Sequence, residues 1–146
     1  GKKIFILGAG GVAPSIILAL KKMGADKIIL SNRTKKKAEQ LKKTFFDLEI
    51  VNWGEVPEFN MIINATSLGL NKKDEIKLDY SDLGPNKLFY DVIYNPKQTK
   101  FLSKAKQFGN QTENGKMMFI YQAHQAFTLW HKVMPKIDEE TIKLLD

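Results

Sequence analysis

The feature that most restricts the fold of this chain is a glycine-rich turn between an apolar run and an amphipathic segment. The apolar run KKIFIL (2–7) predicts a buried parallel strand, and GAGGVA (8–13) follows it directly. Residues 11–23 then predict a helix whose apolar face holds Val12, Ile16, Ile17 and Leu20. A strand, a glycine turn and a helix in this order predict the first unit of an α/β sheet.

Strand and helix patterns alternate along most of the remaining chain. Further strands are predicted at 25–30, 48–53, 61–66 and 88–94, and further helices at 34–46, 98–108, 115–133 and 138–145. The connection 71–87 is polar, and the segment 110–115 is ambiguous. The alternation predicts an α/β fold with a Rossmann-type doubly wound parallel sheet, followed by C-terminal helices. We assign 1–114 to the sheet domain and 115–146 to the C-terminal helices.

Composition narrows the class of protein. A chain of 146 residues with 43% hydrophobic residues fits one globular domain. No apolar run reaches the roughly 18 residues that a membrane span needs, so no membrane partner is expected. Cysteine is absent, which excludes disulfides and thiolate chemistry, and a cytoplasmic setting is expected. The net charge of +7 comes from scattered lysines, which favours anionic small molecules over nucleic acid as partners.

The glycine turn fits the G-x-G-x-x-G/A pattern of dinucleotide-binding units. Gly8 permits a tight turn, Gly10 lets the backbone approach a pyrophosphate, and Ala13 is small enough for close packing of helix on strand. The free N–H groups of the helix N-terminus would face the phosphates. The candidate cofactor-binding residues here are Gly8, Ala9, Gly10, Gly11, Val12 and Ala13. The alternative is a turn with a purely structural role.

The end of the second strand predicts which dinucleotide is bound. An NAD site places Asp or Glu about 20 residues after the glycines to hold the ribose 2′-hydroxyl, but 31–38 (SNRTKKKA) contains no acid. It contains Arg33, which is the only arginine of the chain. We therefore predict NADP(H), with Arg33 and Lys37 on the 2′-phosphate and hydrogen bonds from Asn32 and Thr34. The alternative is a solvated helix start.

Five stretches together resemble the C-terminal part of the shikimate dehydrogenase family. They are GAGGVA (8–13), NRTKKKA (32–38), NATSLGL (64–70), YDVIYNPKQTKFL (90–102) and GKMMFIYQAHQAFTLW (115–130). The first stretch is common to many families, whereas the third and fourth, in this order, are far more specific. The resemblance covers nearly the whole chain.

The resemblance implies further site residues. Those beside the nicotinamide half of the cofactor would be Asn64, Ala65, Thr66, Ser67, Leu70, Val92, Gly115 and Met118. Tyr94 and Gln122 would contact the substrate, shikimate or 3-dehydroshikimate. Met117 departs from the family, in which many members have a second glycine at this position, so the local geometry there is open. His124 and His131 have no carboxylate at ligand spacing, and no metal site is expected.

The implied activity is the reversible NADPH-dependent reduction of 3-dehydroshikimate to shikimate in aromatic amino-acid biosynthesis. The family's catalytic lysine and aspartate belong to an N-terminal domain that this sequence lacks, so no catalytic residue is expected in this chain. We expect the sequence, which starts at Gly1, to be an excised or proteolysed domain. The helices of 115–146 would pack back on the missing domain, and their exposed apolar residues could form a homodimer.

Three alternatives stay open at this stage. The first is a quinate-using relative. An acid near Asn32 would favour an NAD-using enzyme of that kind, and the sequence has no acid there. The reductase domain of a glutamyl-tRNA reductase has a similar architecture. A non-enzymatic module that binds NADPH or nucleic acid would be revealed by salt-dependent binding to generic DNA.

Overall fold

A computed structural model describes residues 1–71 and 73–146. The strands are β1 (Lys3–Leu7), β2 (Lys27–Ser31), β3 (Glu49–Val51), β4 (Met61–Asn64), β5 (Leu88–Asp91) and β6 (Gln111–Glu113). The helices are α1 (Ala13–Lys22), α2 (Lys35–Thr44), α3 (Lys100–Gln107), α4 (Lys116–His131) and α5 (Glu139–Lys143). The ambiguous segment 110–115 therefore contains a short strand, β6.

All six strands form one sheet, in the order β3-β2-β1-β4-β5-β6, and every neighbouring pair is parallel. This is the strand order of a doubly wound dinucleotide-binding sheet, so the predicted fold is confirmed. The chain runs from β1 outward to β2 and β3 on one side, and then crosses back to β4 on the other side of β1. A crevice therefore opens at the carboxyl ends of β1 and β4, where such sheets bind ligands.

Alternate residues of each strand enter two separate cores, one on each face of the sheet. Ile4 and Ile6 pack with residues of α1 and α2, whereas Phe5 and Leu7 pack with residues of α3 on the opposite face. This period of two along strands that are buried on both faces explains why β1 and β2 read as continuous apolar runs.

The connection from β4 to β5 covers the sheet without a helix in the part of it that the structure describes. Two residues of this polar segment, Ile76 and Tyr80, are buried. The ring of Tyr80 stacks on Phe89 of β5 at a centroid distance of 5.9 Å, and burial raises the pKa of its hydroxyl. Ile76 and Tyr80 thus cover this part of the sheet, as a helix does elsewhere in the fold.

Several elements end earlier than the sequence predicts, and polar side chains explain two of these ends. β4 stops at Asn64, whose Oδ1 accepts from the backbone N–H of Thr66 at 3.0 Å. β5 stops at Asp91, whose carboxylate accepts from the N–H of Ile93 at 3.1 Å. Both bonds turn the chain out of the sheet.

The C-terminal helices also follow their local signals. α4 ends at His131 because Lys132 adopts a left-handed conformation with φ 57°. Asp138 is the N-cap of α5 and accepts from the N–H of Thr141 at 2.9 Å. Within the residues that the structure describes, no helix has both the length and the apolar character that crossing a bilayer requires.

Candidate functional site

The glycine turn is held against the carboxyl end of β4. Gly8 has φ +107°, and a Cβ there would lie 2.8 Å from the carbonyl oxygen of Ala65. The N–H of Gly8 donates to Ser31 O at 2.8 Å, and the N–H of Ala65 donates to Leu7 O at 2.8 Å. Position 8 therefore admits glycine for two reasons, its backbone conformation and the space beside it.

The front of the turn is open. A Cβ at Gly10 or Gly11 would meet nothing within 4 Å, whereas Ala13 is fully buried against the core. No side chain caps the N-terminus of α1, and Pro14 occupies its first turn. The N–H of Ala13 donates to Gly10 O at 3.1 Å and Pro14 has no N–H, so an anion at this end of α1 would meet the N–H groups of the turn itself, residues 10–12.

Asn32 ties the glycine turn to the loop after β2. Its Oδ1 accepts from the N–H of Ala9 at 3.0 Å, and its Nδ2 donates to Thr34 O at 2.8 Å. The sequence suggests Asn32 as a direct hydrogen-bond donor to a phosphate. In the structure its amide already serves two backbone groups, so its evident role is to fix the distance between the two loops.

Arg33 lines a cleft of about 420 Å³ at the carboxyl ends of β1 and β2. We call this the Arg33 cleft; its walls include Leu7, Arg33, Trp53, Glu55, Leu68 and Ile76. The cleft combines an apolar wall, which a flat ring can contact, with a guanidinium at its edge. Lys37 is exposed on the first turn of α2 and is not among the lining residues.

A carboxylate also enters the Arg33 cleft. Glu55 accepts from the N–H of Asn52 at 2.9 Å and from its Nδ2 at 2.7 Å. These hydrogen bonds, with the charge of Lys35 as a smaller cause, lower the pKa of Glu55 below its ordinary value. Lys35, the first residue of α2, donates from Nζ to Asn52 Oδ1 at 3.0 Å, so a cation lies near this acid.

A second cleft, of about 490 Å³, lies at the carboxyl ends of β4 and β5. We call it the Tyr94 cleft; it brings together seven of the predicted site residues, Val12, Ala65, Thr66, Ser67, Leu70, Val92 and Tyr94. The ring of Tyr94 stacks on Phe119 of α4 with centroids 4.5 Å apart. The structure therefore joins stretches that lie up to 82 residues apart, from Val12 to Tyr94.

Asn64 does not line this cleft. Its side chain has no exposed surface, and its amide bonds Thr66, Leu68 and Asp91 inside the protein. The side chain of Asn64 therefore faces the protein interior, and its contact with the cofactor stays a prediction. Asn64 instead shapes the loop that follows it, because an asparagine can bond backbone groups on its own carboxyl side.

A third cleft, of about 760 Å³, separates α1 from α4 and holds Gly11, Val12, Met118 and Gln122 among its lining residues. We call it the α1–α4 cleft. Gln122 is exposed there, and the two predicted substrate residues thus line different clefts, which share Val12. Phe119, which stacks on Tyr94, precedes Gln122 by one helical turn and connects the two.

Gly115 lies behind the Tyr94 cleft. It is buried, its N–H donates to Ile93 O at 3.2 Å, and a Cβ there would lie 2.0 Å from Val92 O. Gly115 therefore allows the start of α4 to pack directly on the backbone after β5. Its neighbour Met117, the departure from the family pattern, is half-buried.

Comparison with known proteins agrees with this geometry. The family described as Shikimate / quinate 5-dehydrogenase matches residues 1–71. The shikimate dehydrogenase (NADP(+)) of Pelagibacter ubique is 60% identical over 145 residues, which cover 99% of this chain and 55% of that protein. The chain belongs to the shikimate dehydrogenase family. It spans about half the length of the curated relatives that it matches.

Solved structures of the family show the same fold. The shikimate dehydrogenase of Aquifex aeolicus superposes with a TM-score of 0.85 at 36% identity, covering 99% of this chain and 53% of that one. The enzyme of Thermus thermophilus, in complex with NADP(H) and shikimate, gives a TM-score of 0.81 at 29% identity, covering 97% of this chain and 53% of its own.

Sequence reasoning missed several residues that line the clefts of this shikimate dehydrogenase domain, among them Trp53 and Glu55. Trp53 and Glu55 follow the short strand β3 and line the Arg33 cleft, but they belong to none of the recognised motifs. The signal that could have found them is positional, because the loop after the strand next to β2 ends at the same sheet edge. The sequence alone does not show that this loop folds back toward Arg33.

The contact of Gly115 with Val92 predicts a loss of stability in the variant Gly115→Ala. Its added methyl group would displace backbone and should lower the free energy of unfolding by about 1–3 kcal/mol. Urea denaturation without cofactor measures this as a lower midpoint. The matched control is Gly11→Ala, whose methyl group enters open space and should leave the midpoint nearly unchanged. Equal midpoints for both variants would show that Gly115 is not in tight contact.

Proposed function

We propose that this chain is the NADP-binding half of an enzyme that reduces 3-dehydroshikimate to shikimate reversibly. One observation carries the proposal: the segment from Leu7 to Val12 contributes a residue to each of the three clefts. A dinucleotide laid across the glycine turn would then place one nucleotide in the Arg33 cleft and the other in the Tyr94 cleft. The structure of the Thermus thermophilus relative is a complex with NADP(H) and shikimate, which supports the choice of these ligands.

The adenosine end would occupy the Arg33 cleft. Trp53 and Leu68 offer apolar surface to the adenine ring, and the Arg33 guanidinium can bond a 2′-phosphate with two parallel N–H groups. Glu55 would repel that phosphate, and the charge of the nearby Lys35 would reduce this repulsion. Arg33 is therefore proposed as the main determinant of the NADP preference, with Thr34 and Lys37 as weaker contributors from the rim.

The nicotinamide end would occupy the Tyr94 cleft, between Ala65, Thr66 and Val92. When bound, NADPH supplies the hydride for reduction of a ketone. Tyr94 and Gln122 can hydrogen-bond a substrate from two sides of Phe119. The family description names both shikimate and quinate, and the relatives named for shikimate favour shikimate as substrate.

The proton in this reaction is proposed to come from the half of the relatives that this chain does not cover. The polar groups of Tyr94 and Gln122 can orient a substrate, whereas the carboxylate of Asp91 is fully buried. The resemblance assigns acid–base catalysis to a lysine and an aspartate of another domain. This chain would hold NADPH, exclude water from one side of the nicotinamide and leave one face of its ring open for reaction.

The C-terminal segment 115–146 is proposed to contact that other half. α4 exposes large apolar side chains, with Leu129 at 66% and Trp130 at 78% exposure, and Met134 follows at 74%. A surface of this kind is typical of an interface. Homodimer formation through these helices and a cytoplasmic location remain predictions.

NADP(H) should bind this chain more tightly than NAD(H), and Arg33→Ala should remove most of that preference. Charge-assisted hydrogen bonds contribute roughly 1.5–3 kcal/mol each, and about 1.4 kcal/mol is tenfold. The expected preference is therefore about tenfold to several hundredfold, measured by titration calorimetry with both cofactors. The matched control is Lys36→Ala, which removes the same charge from an exposed position beside the cleft.

Two results would contradict the role of Arg33. Equal affinity of the unaltered chain for NADP and NAD would remove the 2′-phosphate site altogether. An equal loss for both cofactors in Arg33→Ala would show that the arginine supports the fold or the pyrophosphate instead.

The isolated 146-residue chain should not oxidise shikimate measurably, even with saturating NADP. Half of the proposed substrate pocket and its acid–base pair lie outside the chain, and well-oriented groups can be worth roughly 7–11 kcal/mol of barrier. The assay follows NADPH absorbance with shikimate, with the full-length P. ubique relative as the positive control. Turnover by the isolated chain would show that a complete acid–base apparatus lies within it.

A further inference from the structure

A buried carboxylate lies directly beneath the Tyr94 cleft and belongs to none of the predicted site residues. Asp91 ends β5 and has no exposed surface. Its Oδ1 accepts from Asn64 Nδ2 at 2.9 Å and from Ile93 N–H at 3.1 Å, and its Oδ2 accepts from Thr99 Oγ1 at 2.6 Å. Three donors from three segments thus converge on one carboxylate, which offsets much of the cost of burying it.

The carboxylate dictates how the amide of Asn64 is oriented. An ionised carboxylate can only accept hydrogen bonds, so Asn64 must present Nδ2 to Asp91 and Oδ1 to the other side. On that other side, Oδ1 accepts from the N–H of Thr66 at 3.0 Å and from its Oγ1 at 2.7 Å. The reversed amide would place oxygen against the carboxylate and NH₂ against the N–H of Thr66, losing both sets of bonds.

This orientation passes on to the loop of residues 66–70. Asn64 Nδ2 also donates to Leu68 O at 3.0 Å, and Thr66 Oγ1 in turn accepts from the N–H of Leu68 at 3.0 Å. On its far side the loop meets Thr99, because a Cβ on Gly69 would lie 3.3 Å from Thr99 Cγ2. Asp91 therefore holds the loop from two directions, through Asn64 and through Thr99.

We propose that Asp91 is a positioning residue for the nicotinamide end of the cofactor. It fixes the amide of Asn64, which fixes the loop whose Thr66, Ser67 and Leu70 line the Tyr94 cleft. The inference rests on the proposed function and deepens it by naming a residue that acts through others. A purely structural role would affect the whole protein equally, whereas a positioning role affects one end of the cofactor.

The test compares two ligands on Asp91→Asn, a variant of nearly equal shape. An amide at position 91 can keep its oxygen toward Asn64 and Ile93 only by turning its NH₂ toward the Thr99 hydroxyl, which donates to Asp91 in the unaltered chain. The amide also lacks the negative charge that strengthens all three hydrogen bonds, so Asn64 is held less firmly. NADPH should bind about tenfold more weakly, which corresponds to about 1.4 kcal/mol. The probe 2′,5′-ADP, which would reach the Arg33 cleft and the glycine turn but not the loop, should bind within about twofold of the unaltered chain.

The matched control is Asp82→Asn, which removes an exposed carboxylate. Asp82 lines a cleft with Phe59, which precedes β4, and with Lys87, which precedes β5. This variant should change neither affinity. Weakening of both ligands alike by Asp91→Asn, or of neither, would overturn the proposal. An unaltered chain that binds neither ligand would instead refute the proposed function, so the two failures are distinguishable.

A second variant, Asn64→Asp, replaces the amide donor by a carboxylate facing Asp91. Two adjacent carboxylates hold a proton to higher pH than either would alone. The protonated pair restores one O–H donor, and deprotonation removes it as the pH rises. The NADPH affinity of the variant, divided by that of the unaltered chain, should therefore rise severalfold as pH falls from about 8 to about 6; a flat ratio counts against the proposal.

Other titratable groups near Asp91 should not disturb this readout. Burial raises the pKa of the Tyr80 and Tyr90 hydroxyls above the ordinary value, and the charge of Asp91 raises both further as a smaller cause. Neither hydroxyl therefore ionises between about pH 6 and pH 8. Protonation of the 2′-phosphate cancels in the ratio, because both proteins bind the same ligand.

Discussion

The close approach of Gly8 to the carboxyl end of β4 determines the geometry of the whole site. The two strands are neighbours in the sheet, and the turn after β1 lies against Ala65 and Thr66 with no room for a side chain. The turn leads into α1, which packs on one face of the sheet with its N-terminus at the crevice. The clefts on either side of the turn therefore share one rigid wall, and a ligand that spans them meets backbone rather than mobile side chains.

Electrostatics at the adenosine end depend on more than the segment after β2. Arg33 sits in a cleft with Glu55 and Glu75, but Glu75 is paired with Lys104 and Lys100, and Glu55 stands beside Lys35. Hydrogen bonds hold the pKa of both carboxyls below the ordinary value, from Lys104 for Glu75 and from Asn52 for Glu55. Because each acid has its own partner, the guanidinium of Arg33 remains free to meet a phosphate, as far as the described residues show.

The sequence predicts the sheet and most of the residues that line the Tyr94 cleft because both follow from local patterns. Apolar runs, the glycine turn and the polar ends of strands are all readable within a few residues, and parallel strands bring their ends to one edge. The roles of Asn64 and Asp91 are not readable in this way. Each looks like a surface turn residue in its own stretch, and their pairing across 27 positions becomes visible only once β4 lies beside β5. Trp53 and Glu55 escape prediction for the same reason, since their loop carries no motif of its own.

The two halves of the cofactor would thus be held by different physical means. At the adenosine end, charge is exposed and mobile, and Arg33 can adjust to its ligand at little cost. At the nicotinamide end, polar groups are buried, fully paired and fixed in one orientation by an acceptor-only carboxylate. Binding affinity changes little when the Arg33 side chain adjusts its position. Hydride transfer, in contrast, depends on the position of one face of the nicotinamide ring to within a fraction of an ångström. With the nicotinamide placed as proposed, the buried network lies at the end where that precision is needed, and such a network tolerates a changed hydrogen bond poorly.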